Sequence, residues 1–412
     1  MRYLAALLGL LSLLAGGCAG GLAAQADLRP TVILVSFDGW RWDYHTTFSA
    51  PNVRRVIAEG VHAERLIPSF PTKTFPNHYT VVTGLYPGHH GIVSNNILDP
   101  ATGRRFSLSN RREVQDPMWW GGEPLWIRVQ NAGQTAAAMF WPGSEAPILG
   151  QFPRFWSEFD ATVPGNVRVD RVLGWLDLPE AERPTFMTLY FEEVDAAAHN
   201  TGPDSRQTGD AVRRVDGYLG RLLRGLDERG LRGRVNLLLT SDHGLAETSM
   251  DRVIVLDDYV SLADVEVIDI GPMLGLHAKA GREGAVYTAL ADAHPRLTVY
   301  RRAETPERWH YRDHPRIPPI VGVADEGWLV LHRSNVAERV ARRLVGPRGE
   351  HGYDPEATSM HGLFAAAGPA FKRGATVPAF ENVHVYQALT AALGLTPAPN
   401  DGNPAVAARL LR

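Results

Sequence analysis

Residues 31–39 read TVILVSFDG. The apolar run Thr31–Phe37 is continuous rather than alternating, so a strand built from it must bury both faces. It ends on Asp38-Gly39. Two later runs have the same form: TFMTLYFEE (185–193), which leads to Asp195, and RVNLLLTSD (234–242), which ends on Asp242. TAAAMF (135–140) and HAERLI (62–67) read as further strands. Helical segments lie between them. APNVRRVIAEG (50–60) has Pro51 at its start and Gly60 at its end. EPLWIRVQNAG (123–133) and NVRVDRVLGWLDL (166–178) follow, then the long amphipathic stretch DAVRRVDGYLGRLLRGLDERG (210–230). Alternating strands and helices predict an α/β fold with a mainly parallel sheet and helices on both faces.

The rhythm changes between 255 and 345, where Pro, His and Arg are frequent and RIPPIVGVADEGWLVLHR (316–333) reads as a hairpin. This predicts a smaller lobe, 255–345, inserted between a first core part, 27–254, and a last part, 346–412. The last part returns to the α/β pattern with HGLFAAAGPAF (361–371) and a final helix in VHVYQALTAALGL (383–395). Residues 1–26 have the layout of a secretory signal: Arg2, an apolar run too short to span a membrane, then small residues. Two processing sites fit, before Cys18 as in a lipoprotein or after Ala26. Cys18 is the only cysteine, so no intramolecular disulfide is available and a core or metals must hold the exported protein. The net charge of −3 over 412 residues and the absence of a long basic run give no sign of a nucleic-acid-binding surface. Oligomeric state is not legible.

In open α/β sheets ligands bind beyond the carboxyl ends of the strands, so Asp38, Asp195 and Asp242 are expected on one rim. One acid at a strand end is an ordinary turn residue; three together repel one another without a cation. Histidines accompany them. Asp195 and His199 are one helical turn apart in DAAAH, His243 follows Asp242, and His351 lies among turn residues in GEHGYD. Mixed Asp and His ligation favours Zn²⁺ over the oxygen-seeking Mg²⁺ and Ca²⁺. Two zinc ions about 4 Å apart could clamp both oxygens of a phosphoryl transfer. The stretch PTKTFPNHYTVVTG (71–84) places Thr74 at a helix N-terminus, with Pro76 in the first turn and Gly84 as the stop. There the Thr74 hydroxyl is either a plain N-cap or a nucleophile facing a phosphate. Lys73 reads as a solvated side chain without a catalytic role.

The stretches SFDGWRWDY, PSFPTKTFPNHYTVVTGLYPGHHGIVSNN, GEPLWI, FWPGSE, LYFEEVDAAAH, TSDHGLAE and HGYDP run in this order from Ser36 to Pro355. Together they resemble the nucleotide pyrophosphatase/phosphodiesterase family of the alkaline phosphatase superfamily. The resemblance implies an alkaline-phosphatase-like core and hydrolysis of nucleotide phosphodiester and pyrophosphate bonds through a phosphorylated Thr74. It implies two Zn²⁺ ions, one held by Asp38, Asp242 and His243 beside Thr74, the other by Asp195, His199 and His351. Asn95 would donate to a non-bridging phosphate oxygen, and Phe75 and Tyr190 would stack on a base. The product would be a nucleoside 5′-monophosphate, in the periplasm, with membrane contact only through a lipid at Cys18. Related activities on phosphomonoesters, phosphonates or choline phosphodiesters fit the same motifs, and a non-catalytic binding role fits them less well because Thr74 is intact. The chain departs from the family pattern at Ala198 (commonly Gly), Pro355 (commonly Asn) and His361 (commonly Gln). Of the two late histidines, the resemblance selects His351 as the ligand.

Overall fold

The apolar run after Thr31 forms a strand, β1 (Val32–Phe37), in which every residue is buried. Its side chains alternate between two cores: Val32 and Leu34 enter one apolar cluster, Ile33, Val35 and Phe37 the other. The computed structural model describes residues 28–342, 344 and 346–412; the leader, both processing sites and Cys18 lie outside the described residues. The other strands of the central sheet are β2 (Val61–Ala63), β3 (Ala136–Met139), β4 (Phe155–Trp156), β5 (Phe186–Phe191), β6 (Asn236–Thr240), β7 (Phe364–Ala367) and β8 (Ala375–Val377). They lie in the order β8-β2-β7-β6-β1-β5-β3-β4. Pairing is parallel except at β7, which runs antiparallel to β6 and β2. This is the mainly parallel sheet expected from the alternation of elements, and it is consistent with the alkaline-phosphatase-like core that the resemblance implies.

Helices cover both faces. On one side pack α1 (Pro51–Glu59), α4 (Gly165–Leu176) and the long α6 (Arg206–Glu228), whose Ser205 caps the Thr208 N–H at 3.1 Å. On the other lie α2 (Thr74–Thr83), α3 (Leu125–Asn131) and α7 (Val385–Ala392). The short α5 (Glu193–Thr201) sits at the sheet rim. HAERLI splits: its start is β2, while Leu66–Ile67 pairs with Phe380–Glu381 outside the main sheet.

A second, four-stranded antiparallel sheet is built from Val265–Asp269, Met273–Ala278, Ile320–Ala324 and Leu297–Arg301, in that order, with its own apolar cluster. The hairpin expected over 316–333 does not form. Ile320–Ala324 is fully buried and already paired on both edges, so the next segment cannot pair with it. After a tight turn, Leu329–Leu331 instead pairs in parallel with Val253–Val255.

Candidate active site

Because β1, β5 and β6 are parallel neighbours, their carboxyl ends open on one rim. Asp38 follows β1, Asp242 follows β6, and Asp195 lies in the first turn of α5, just beyond β5. Backbone bonds fix them. The Asp38 N–H donates to Phe191 O at 2.9 Å, the Asp195 N–H to Asp38 O at 3.1 Å, and the Gly39 N–H to Asp242 Oδ1 at 3.2 Å. Gly39 has φ +68°, and a Cβ on it would stand 2.8 Å from Asp195 Cα, so only glycine admits this approach.

The histidines are oriented by backbone carbonyls. His199 Nδ1 lies 2.8 Å from Gly349 O, His243 Nδ1 3.2 Å from Gly244 O and His351 Nδ1 2.8 Å from Thr72 O. A carbonyl only accepts, so Nδ1 carries the proton and Nε2 turns its lone pair to the rim, as metal-binding imidazoles do. His199 Nε2 stands 3.3 Å from Asp195 Oδ1, and His243 Nε2 stands 3.0 Å from Asp242 Oδ2 and 3.3 Å from Thr74 Oγ1. By distance, two groups could hold an ion: Asp195 with His243 and His351, and Asp38 with His78 and Asp242, ligand atoms in each lying within 4.8 Å. His243 therefore reaches both groups, its ring stacked on that of His351 with centroids 3.6 Å apart. His361 joins neither; it is buried with Nε2 on Pro355 O at 2.8 Å.

His78 is a residue that the sequence reading passed over. Its Nδ1 lies 2.9 Å from Thr74 O and 3.4 Å from Asp242 Oδ2, and its Nε2 lies 2.8 Å from Ser36 Oγ. The Thr74 carbonyl puts the proton on Nδ1, and the Ser36 hydroxyl fills the Nε2 lone pair. His78 thus holds the Thr74 backbone, beside Asp242, rather than offering a free lone pair. The signal in the sequence was its place four residues after Thr74, on the same helical face.

The acids fit a cation. Asp38 Oδ1, Asp195 Oδ1 and Asp242 Oδ2 are buried and have no hydrogen-bond partner among the described residues. Burial, with Asp242 and Asp195 close by, pushes the Asp38 carboxyl well above the usual carboxylate range. At the other end of the rim burial opposes charge on both partners of a pair. The ion pair still wins: His199 is raised to about 10 by Asp195, and Asp195 is held down to about 2 by His199. A bound metal ion would take the place of the His199 Nε2 proton, and orphaned carboxylate oxygens facing imidazole Nε2 atoms are the donor set of a mixed Asp/His metal centre.

Thr74 opens α2, with Lys73 extended before it and Gly84 left-handed (φ 68°) after it. Asn95 Oδ1 accepts the Phe75 N–H at 3.0 Å, which leaves the Asn95 NH₂ for another partner. Phe75 is partly buried against Phe106 and Trp120. Tyr190, 8% exposed, has its ring in the core and its hydroxyl on Asp38 Oδ2 at 2.5 Å. The accessible ring beside it is Phe159, 36% exposed and edge-on to Tyr190 at 5.8 Å. Lys73 is not solvated: it is 7% exposed and paired with Asp269 at 2.5 Å, because a bulged strand end of the second sheet brings that acid beneath α2.

The family described as type I phosphodiesterase/nucleotide pyrophosphatase matches residues 32–354. The chain belongs to this family. It is 38% identical to human ectonucleotide pyrophosphatase/phosphodiesterase family member 5, over 93% of this chain and 79% of the relative. It is 39% identical to a Macrovipera lebetinus venom phosphodiesterase over 93% of this chain, but spans only 46% of that relative's length. A solved structure of an inactive threonine-to-alanine variant of murine ectonucleotide pyrophosphatase/phosphodiesterase 5, in complex with AMP, superposes with a TM-score of 0.87 at 38% identity. That superposition covers 93% of this chain and all of the murine one. At Ala198, where the family pattern commonly has Gly, the backbone is approached closely by Gly349: a Cβ on Gly349 would stand 2.7 Å from Ala198 O. Among the described residues, no helix is long and apolar enough to cross a membrane.

Proposed function

We propose that the protein is an exported, two-zinc phosphodiesterase that releases a nucleoside 5′-monophosphate through a Thr74-linked intermediate. The observation that carries this reading is the set of three unpartnered, buried carboxylate oxygens gathered beside a threonine hydroxyl at a helix N-terminus. Asp38, Asp242 and His243 would hold one ion and Asp195, His199 and His351 the other. Bound there, zinc supplies the positive charge that favours a threonine alkoxide and offsets charge on the phosphoryl oxygens. Thr74 Oγ1 bonds to phosphorus as the second ester or pyrophosphate group departs, and water then cleaves the Thr74–phosphate ester. The N-terminus of α2 favours the anion, and the Asn95 NH₂ donates to a non-bridging oxygen. Phe75 and Phe159 offer the ring faces for a base, with Tyr190 holding Asp38 in place. Lys73 is neutralised by Asp269, so among the described residues it offers no free cation beside Thr74 for the extra charge of a phosphomonoester. The relatives' ecto- prefix agrees with export; processing after Ala26 gives a soluble form, and processing at Cys18 gives a lipid-anchored one.

The test compares wild type and Thr74→Ala on a nucleotide diester, a nucleoside triphosphate, a phosphomonoester and glycerophosphocholine, with chelator and after adding back Zn²⁺. Chelation should abolish nucleotide cleavage and zinc restore it. Thr74→Ala should fold, retain metal and lose at least about 10³-fold in kcat. Near wild-type turnover by Thr74→Ala would show that an activated water does the chemistry.

A further inference from the structure

Lys73 and Asp269 form an ion pair in which both side chains are almost fully buried, Asp269 being 4% exposed. Burying two charges is costly, and replacing such a pair by apolar groups is often neutral or stabilising. What the pair touches suggests a reason for keeping it. Asp269 Oδ2 accepts from Lys73 Nζ at 2.5 Å and also from the buried Ser94 hydroxyl, while Oδ1 takes the Ile270 N–H at 3.1 Å. Lys73 immediately precedes Thr74, and Ser94 immediately precedes Asn95. The far side is closed by the Phe75 N–H on Asn95 Oδ1 at 3.0 Å. The contacts form a ring: Asp269 to Lys73, along the chain through Thr74 to Phe75, across to Asn95, back through Ser94 to Asp269. Every link is polar and at least partly buried. The acid that ties both arms comes from another sheet, at the end of Val265–Asp269, where a bulge between Val267 and Asp269 shifts the register and re-aims the side chain.

We propose that Asp269 is a positioning residue that sets the separation between the Thr74 hydroxyl and the Asn95 amide. This rests on the reading of Thr74 as nucleophile and Asn95 as oxyanion donor. Two groups that must meet one phosphorus and one of its oxygens are carried on separate segments, α2 and the loop before Asn96–Leu98. Misplacement by about 1 Å costs on the order of 10²-fold in rate, so a shared anchor on both segments acts on kcat rather than on substrate capture.

The experiment uses the full chain assayed with added Zn²⁺, and compares wild type, Asp269→Asn, Ser94→Ala, Asn95→Ala and Thr74→Ala. Substrates are a nucleotide diester and its phosphorothioate with sulfur at a non-bridging position. Asp269→Asn should lower kcat by about 10- to 100-fold with KM within about 3-fold and zinc content unchanged. Its oxygen-to-sulfur rate ratio should shrink toward that of Asn95→Ala, because a displaced amide no longer favours oxygen. A lost fold would change total active enzyme but not this ratio. If Asp269→Asn does not melt cooperatively, Ser94→Ala decides, since it cuts one arm and leaves the ion pair intact; its ratio should also shrink. A wild-type ratio in the folded variant, with Thr74→Ala inactive, overturns the positioning role alone. An active Thr74→Ala overturns the underlying mechanism instead.

Discussion

Burial decides what each aromatic residue at the rim can do, and burial is the property that a residue's identity does not reveal. Phe75 and Tyr190 are equally good stacking candidates on paper, yet Tyr190 spends its ring on the core and its hydroxyl on Asp38, while Phe159 keeps a face in solvent. Phe159→Ala should therefore weaken a nucleotide substrate by roughly 1–3 kcal/mol, the scale of base–aromatic stacking, and spare an aryl diester that lacks a base. Tyr190→Phe should reduce turnover of both alike, because it removes a hydrogen bond to Asp38, a carboxylate of the proposed metal site. Parallel kcat/KM measurements on the two substrates check this; equal losses for Phe159→Ala would assign that ring to packing. The proposed ligands were easier to read. Asp38, Asp195 and Asp242 announce themselves at the ends of apolar runs, and His199 and His243 lie close to two of them in sequence, whereas His351 comes from a distant loop. His78 and Lys73 were not legible, since the one is defined by Ser36 and Asp242 and the other by Asp269, all distant in the chain.

At the scale of elements, the site depends on two short segments meeting across the rim. Helix α5 carries Asp195 and His199; the strand Arg348–Glu350, paired with Ala246–Thr248, delivers His351 and the carbonyl that orients His199. Gly349 sets how closely they approach. A Cβ there would meet Ala198 O at 2.7 Å and the Ala198 carbonyl carbon at 3.0 Å, both backbone atoms that cannot turn aside. Gly349→Ala should push the strand outward, displacing His351 and loosening the His199–Gly349 bond, with zinc affinity and turnover down by about 10- to 100-fold, as when a metal's supporting contacts are removed. The fold should survive, because the central sheet does not include this strand. Zinc titration together with circular dichroism reads both parts; unchanged zinc affinity would mean that the contact is slack. The sequence showed that residues 349–352 are turn-like, but not that the glycine faces a helix. The failed hairpin over 316–333 has the same origin: local turn signals were present, and the partners that captured each strand lay elsewhere in the chain.

For the whole molecule, the main sheet was legible because its central strands are buried on both faces and read as continuous apolar runs, whereas the second sheet mixes buried and half-exposed positions. The same depth of burial makes stability depend on pH through His90. This histidine is fully buried between α2 and the loop before Asn95. Its Nδ1 accepts the Ile92 N–H at 3.2 Å, so Nε2 carries the proton and donates to Thr80 Oγ1 at 3.1 Å. The ring is satisfied as a neutral group, and burial lowers its pKa to about 3. The folded value lies below the unfolded value of about 6.5, so between the two the unfolded chain binds the extra proton. The stabilisation is present above pH 6.5 and is lost as pH falls toward 3, amounting to roughly 2 kcal/mol by pH 5 and about 1.4 kcal/mol per further unit. His90→Gln keeps an acceptor and a donor but cannot titrate. Denaturant unfolding of wild type and variant from pH 7 to 5, at one zinc concentration, cancels the contribution of the metal-site histidines in the difference. That difference should shift in the variant's favour by roughly 2 kcal/mol on going from pH 7 to 5. A constant difference across the range would mean that His90 takes up its proton in the folded protein, and that the pocket between Thr80 and Ile92 opens to water.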